Sequence, residues 1–204
     1  MRRAGLPFDV SRETSDKLEH FADLLLKWNP RINLVSRSTL DDLWARHILD
    51  SAQIYDLAPH PVTHWADLGS GGGFPGLVLA ILGAESGSPK KVTLVESDVR
   101  KCAFLRTVIR ETGVSAQVIN DRIEDIPALG ADVLSARALA DLPKLLAFTE
   151  RHLSADGTAL FPKGATWEKE LQDAQSQWNF EYRVAKSKTE DGPAILAITG
   201  VSRV

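Results

Sequence analysis

His64-Trp65-Ala66-Asp67-Leu68 runs directly into Gly69-Ser70-Gly71-Gly72-Gly73-Phe74-Pro75-Gly76. Strand, tight glycine turn and helix start, in that order, let backbone amides approach a ligand closely. Pro75 falls near the first helical turn, where its missing N–H costs nothing. Five glycines in eight residues at the mouth of a strand read as a binding loop, not a mere chain reversal.

Around this loop the pattern is strand–helix alternation. Strands are expected near 64–69, 91–96, 115–120, 132–136 and 157–162, and helices near 74–82, 98–112, 141–152 and 166–176. Strands separated by helices imply a parallel, doubly wound sheet. The C-terminal end departs from this. Phe180, Tyr182 and Val184 alternate with polar residues, residues 194–198 form another strand, and Asp191-Gly192 lies in the short loop between them. That is a hairpin, with one strand antiparallel to the rest. Upstream, Leu18, Phe21, Leu25 and Trp28 share one face of a helix that Pro30 is expected to end. A second helix is expected after Ser38, which would cap it, with Asp41 at the third helical position. Its apolar stripe is Leu40, Leu43, Trp44, His47 and Ile48. The chain thus divides into an N-terminal helical extension over 1–60 and a Rossmann-like α/β domain over 61–204.

The glycines match two fingerprints. Gly71-x-Gly73-x-x-Gly76 fits a dinucleotide, whereas Gly69-x-Gly71-x-Gly73 after Asp67 fits the S-adenosylmethionine loop. Both cofactors call for a carboxylate at the second strand end to accept hydrogen bonds from ribose hydroxyls. Glu96, twenty residues after Gly76, supplies it. The antiparallel hairpin resembles the ending of class I S-adenosylmethionine-dependent methyltransferases. Redox residues do not rescue the dinucleotide reading. Tyr182-x-x-x-Lys186 mimics a dehydrogenase pair that needs a helix, where i and i+4 lie about 6 Å apart. On a strand they are about 13 Å apart.

Composition narrows the class further. The 204 residues carry 24 Lys+Arg against 27 Asp+Glu, a net charge of −3. Composition alone therefore does not announce a nucleic-acid partner, since such domains commonly have a pI above about 9. Cys102, the single cysteine, excludes an internal disulfide and a cysteine-based zinc cluster, and no metal is expected. The longest apolar run, Leu77 to Leu82, is far short of a membrane span. No apolar segment follows the N-terminal arginines, so a cytoplasmic protein without a membrane partner is expected.

Acceptors impose their own chemistry. Base-amine methylation usually goes with an Asp/Asn-Pro-Pro-aromatic motif after the fourth strand, and pyrimidine C5 methylation needs a cysteine nucleophile. The fourth strand instead ends Ser135-Ala136-Arg137-Ala138, and Cys102 sits in a helix as a structural residue. Guanine N7 asks for less. Its lone pair is available at neutral pH, so positioning carries most of the rate and no catalytic base is expected.

Three runs now carry a close resemblance: Lys27-Trp28-Asn29 with Asn33-Leu34-Val35, then Arg46-His47-Ile48-Leu49-Asp50-Ser51, then residues 67–76. With Glu96-Ser97, Lys101, Phe104-Leu105, Arg122-Ile123-Glu124, Ser135-x-Arg137-Ala138 and Lys163-Gly164, the chain resembles the bacterial small-subunit rRNA guanine-N7 methyltransferases. That family is also called glucose-inhibited division protein B, or RsmG. The resemblance covers about residues 20 to 165 and departs at Pro162, where a small or aliphatic residue is more usual. It implies methyl transfer from S-adenosylmethionine to N7 of a guanosine in 16S rRNA, guanosine 527 in the family. The alternatives are a methyltransferase of a small molecule or protein, and a non-catalytic S-adenosylmethionine sensor.

The resemblance also implies roles. Gly69, Gly71, Gly73 and Phe74 would line the cofactor, Glu96 would hold the ribose, and Ile123 and Glu124 would flank the adenine. Arg137 would close the site against cofactor, substrate or both, and its place at the carboxyl end of a central strand agrees. His47, Asp50, Ser51 and Lys163 would face the substrate. Arg106 and Arg110, with Arg2, Arg3, Arg31, Arg37 and Arg46, are the candidates for a local phosphate-binding face. The implied partner is 16S rRNA or the small ribosomal subunit, met by a monomer.

Overall fold

The computed structural model describes residues 9–204. Arg2 and Arg3 lie outside the described residues.

Seven strands form one sheet in the order β3-β2-β1-β4-β5-β7-β6. They are β1 (His64–Leu68), β2 (Lys91–Val95), β3 (Ala116–Ile119), β4 (Ala131–Ser135), β5 (Leu153–Lys163), β6 (Trp178–Lys186) and β7 (Ala194–Arg203). The first five are parallel where they pair, and β7 runs antiparallel to both β5 and β6. The expected doubly wound sheet and its C-terminal hairpin are both present. Order reverses between β1 and β4, and the carboxyl ends there open the crevice where such sheets take ligands. Strands covered on both faces bury nearly every residue, as β1 does from Trp65 to Leu68.

Helices α3 (Gly76–Ser86), α4 (Val99–Thr112), α5 (Leu142–His152) and α6 (Trp167–Gln175) follow the strands. Two begin on aspartate caps beside the crevice. Asp98 accepts from the Arg100 and Lys101 amides, and Asp141 accepts from the Lys144 amide.

The N-terminal segment is one long helix, α1 (Arg12–Ile32), followed by an irregular helical run. Pro30 does not end α1. It lies in the last turn, where few hydrogen bonds remain to lose, and the stop is Asn33 in a left-handed conformation (φ 48°). The Asn29 side chain then accepts from the Val35 amide at 2.9 Å, turning the chain toward the sheet. Ser38 caps nothing either. It sits inside a short 3₁₀ turn (Arg37–Thr39), its hydroxyl 2.8 Å from that of Ser36. A π-helical stretch (Trp44–Leu49) and α2 (Asp50–Tyr55) complete the segment. Leu18, Phe21, Leu25, Leu43 and Ile48 are buried in one apolar cluster with Phe74, Leu77, Leu94 and Phe104. The N-terminal helices and the sheet therefore share a core, which holds the π-helical turn against the glycine loop.

Candidate functional site

Three cavities meet at the carboxyl ends of β1, β2 and β4. One, of about 340 Å³, lies over the β1–β2 side between Gly69, Gly71, Glu96, Ser97, Ile123 and Glu124. A second, of about 400 Å³, lies between the glycine loop and the π-helical turn, lined by Gly69, Gly71, Phe74, His47, Asp50 and Arg137. The third, of about 540 Å³, lies between Arg137, Asp50, Lys163 and the loop joining β6 to β7. Volumes in this range suit small-molecule sites.

Glycine is required in the loop for two different reasons. At Gly73 the backbone has φ +90°, and a Cβ would stand 2.4 Å from Leu77 Cδ1. At Gly69 (φ +66°) a Cβ would meet Leu139 Cδ1 at 2.6 Å and narrow the cleft. Gly73 lines none of the three cavities, so its part is the shape of the turn. Beneath the loop, Asp67 is wholly buried. It accepts from the Gly76 amide (3.2 Å) and from Ser135 Oγ (2.8 Å), and Ser135 in turn accepts from Trp65 Nε1 (3.0 Å). Burial raises the Asp67 carboxyl to about 6, against the opposing pull of its hydrogen bonds to Ser135, Ser70 and Gly76.

Glu96 stands at the end of β2 with its carboxylate held by backbone. One oxygen accepts from the Gly71 amide at 2.9 Å and the other from the Asp98 amide at 2.8 Å. Each carboxylate oxygen keeps acceptor capacity toward the cavity. Ile123 is buried on the cavity wall, while the exposed Glu124 pairs with Lys144 at 3.4 Å on the rim. Cys102 is buried, and its thiol donates to the Glu96 carbonyl.

The other side is built from side chains. Arg137 Nη2 lies 2.9 Å from His47 Nδ1, and Nη1 reaches the Arg46 carbonyl (3.3 Å) and Asp50 Oδ2 (3.4 Å). The guanidinium sits 5.1 Å above the Phe74 ring, on which His47 also stacks with ring centroids 5.0 Å apart. His47 Nε2 reaches Thr39 Oγ1 at 2.8 Å. A guanidinium can only donate, so His47 Nδ1 accepts and Nε2 carries the proton. Burial, then Arg137 and Arg46, lower the His47 pKa to about 4. The following residue, Ala138, has φ 52° and lines all three cavities.

The expected residues thus converge, with qualifications. Arg137 lines the second and third cavities and not the first. Lys163 lies only in the third, 8% exposed, donating to the Ala140 carbonyl and pairing with Glu170. Ser51 is buried with its hydroxyl on the His47 carbonyl (2.6 Å), inside its own helix and away from the cavities. Of the arginines, Arg110 pairs with Glu111 and Arg46 with Glu190. Lys101, Thr39, Gln53 and Glu190 also line the cavities, although the sequence assigned none of them a role there. Only Lys101 had a signal, three residues past a capping aspartate and off the apolar face of α4.

A family model for rRNA small subunit methyltransferase G (GidB) matches residues 14–193. The chain is 57% identical to the ribosomal RNA small subunit methyltransferase G of Ruegeria sp. strain TM1040, over 99% of this chain and 98% of the relative. It is 60% identical to that of Ruegeria pomeroyi, over 96% of each. Among solved structures, a TehB-like SAM-dependent methyltransferase from Corynebacterium glutamicum superposes with a TM-score of 0.56 at 18% identity. It covers 92% of this chain and all of that one. TYW2 of M. jannaschii, in complex with AdoMet, does so with 0.55 at 16% identity, covering 83% and 78%. These likenesses concern the fold.

Proposed function

Because the chain belongs to the rRNA small subunit methyltransferase G family, and so is an S-adenosylmethionine-dependent rRNA methyltransferase, we propose that its cleft methylates N7 of a guanosine in 16S rRNA, the family's guanosine 527. The β1–β2 cavity fits the cofactor. Glu96, fixed by two amides, has acceptor capacity for a ribose diol, and the side-chain-free wall at Gly69 and Gly71 admits a ligand against backbone. When bound, S-adenosylmethionine supplies a sulfonium methyl group. Ile123 and Glu124 bound the adenine end, and Phe74 with Gly69 borders the passage to the second cavity.

The observation that carries the acceptor assignment is the state of His47. Among the described residues it is the one histidine lining these cavities, and its Nδ1 already accepts from Arg137. With a pKa near 4 it is neutral at pH 7 and has no lone pair to offer as a base. Asp50 is engaged as well, by Arg137, Gln53 and Thr189, and Glu170 by Lys163 and the Leu142 amide. Such a site suits a nucleophile that loses no proton before attack, as guanine N7 does. Arg137, held over Phe74, lines both acceptor cavities, and a guanine O6 beside N7 is a matching acceptor for a guanidinium N–H. Asp50 and Lys163 border the same space.

Labelled cofactor with 16S rRNA, followed by strand scission at N7-methylguanine, tests the reading. A single labelled guanosine in the decoding-centre loop is expected. Label in protein or metabolite extracts alone, or at another base atom, overturns it.

A further inference from the structure

The loop joining β6 to β7, residues 187–193, leaves the sheet and fastens to the N-terminal helices. The Lys188 amide donates to Gln53 Oε1 (2.8 Å), Thr189 Oγ1 donates to Asp50 Oδ1 (3.1 Å), and Gln53 itself is 3% exposed. This places Glu190 across the second cavity from the π-helical turn, where it forms an ion pair with Arg46. The two side chains are 40% and 41% exposed, so the pair stands at the solvent mouth of the acceptor space.

Arg137 and Arg46 differ in what they can do next. Arg137 is locked by His47, Asp50 and the Arg46 carbonyl. The Arg46 guanidinium is held by an exposed carboxylate, and exposed pairs are weak. A phosphodiester matches the guanidinium fork bidentately and competes well for it. The charge count favours exchange. Arg46, Arg137 and Lys101 line the second cavity against Asp50 and Glu190, an excess of one positive charge; with Glu190 turned away the excess is two.

We propose that Arg46 is a phosphodiester-binding site for the RNA strand entering the acceptor cavity, and that Glu190 holds this site until the strand displaces it. The inference rests on the reading of RNA as substrate. It explains how a mildly acidic protein grips a polyanion locally: the cation is screened by an internal carboxylate, not missing.

Binding of a 16S rRNA fragment carrying the target loop, measured from about 50 to 200 mM salt, tests it. Arg46→Ala should weaken binding about tenfold and lower the log–log salt slope by about one. Glu190→Gln should tighten binding several-fold, and that gain should vanish in the Arg46→Ala background. Cofactor affinity, which neither change should alter, reports that the fold is intact, and Arg46→Lys should recover part of the slope. An unchanged slope in Arg46→Ala, or a Glu190→Gln gain that survives without Arg46, overturns the proposal. If the unaltered protein neither binds nor methylates the fragment, the substrate reading itself has failed. If it does both while the two changes are additive, only the exchange has.

Discussion

The two sides of the cleft are made of different material. The β1–β2 side is built from backbone: amides at Gly71 and Asp98, left-handed glycines, and one carboxylate held between them. The β4 side is built from side chains drawn from four distant stretches: Thr39 to Gln53, Arg137 to Asp141, Lys163 to Glu170, and Ser187 to Ile195. A backbone site depends on local geometry and tolerates little change in shape. A side-chain site depends on which partners the fold brings together, and single groups in it carry separable tasks.

The largest effect should come from Arg137→Ala. It strips His47 Nδ1, Asp50 and the Arg46 carbonyl of their shared donor, and single-turnover methyl transfer should fall roughly a hundredfold or more. Cofactor affinity, measured by titration calorimetry, should change far less. Parallel losses in both would move Arg137 to the cofactor side and break the contrast. Arg137→Lys should also lose activity, because an ammonium cannot reach three acceptors in one plane.

Glu96→Ala tests the other side. Loss of charge-assisted bonds to a ribose should cost about 1.5–3 kcal/mol, or roughly ten- to a hundredfold in S-adenosylmethionine affinity. Binding of RNA should stay as it was. Calorimetry showing unchanged cofactor affinity would remove Glu96 from the site.

Gly73→Ala sharpens the claim that the loop acts through shape. The residue touches no cavity, yet a methyl there collides with Leu77 at a left-handed φ. Overpacking and strain of this kind cost about 1–3 kcal/mol. At about 2–4 °C per kcal/mol for a chain of this size, Tm should drop by several degrees, with weaker cofactor binding. A variant with unaltered Tm and affinity would show that the loop yields.

The smallest effect concerns pH. His47 has a folded pKa near 4 against an ordinary 6.5, so the folded state binds fewer protons between those values. Its stabilising contribution is complete above pH 6.5 and is lost as pH falls toward 4. Asp67, raised to about 6 from 3.8, has the opposite sign, and its contribution fades as pH rises through 6. Urea unfolding of His47→Gln should therefore lose less stability on acidification than the unaltered protein does. The chemical step should stay flat from about pH 6 to 9, with and without His47. A rate climbing tenfold per pH unit and abolished by His47→Ala would make it a base after all.

The same contrast governs what the sequence disclosed. The glycine loop and Glu96 lie in consecutive or regularly spaced residues whose backbone consequences are local, and the parallel, doubly wound sheet followed from the alternation of elements, although its strand order did not. Arg137 was legible by position, at a strand end, but not its partners, because hydrogen bonds to Arg46, His47 and Asp50 span the chain. Glu190 and Gln53 had no local pattern at all. Ser51 misled for a local reason, since a helical serine commonly turns its hydroxyl to the carbonyl four residues back. Pro30 and Ser38 misled because each can stop or start a helix, and tertiary packing chose otherwise.

The π-helical turn between Trp44 and Leu49 has a consequence for length. Its ladder closes five residues back, as the Asp50 amide does on the Ala45 carbonyl, so the turn holds one residue more than an α-helix would. Each residue of an α-helix advances about 100° around the axis. Deleting the extra one would give a more regular helix and swing its N-terminal side by more than a quarter-turn against its C-terminal side. Thr39, upstream of the turn, would then be rotated relative to Gln53, downstream of it, and both line the cavities. At this spot a single-codon deletion is a graver lesion than most substitutions, and the irregular turn is worth more to the enzyme than the straight helix it displaces.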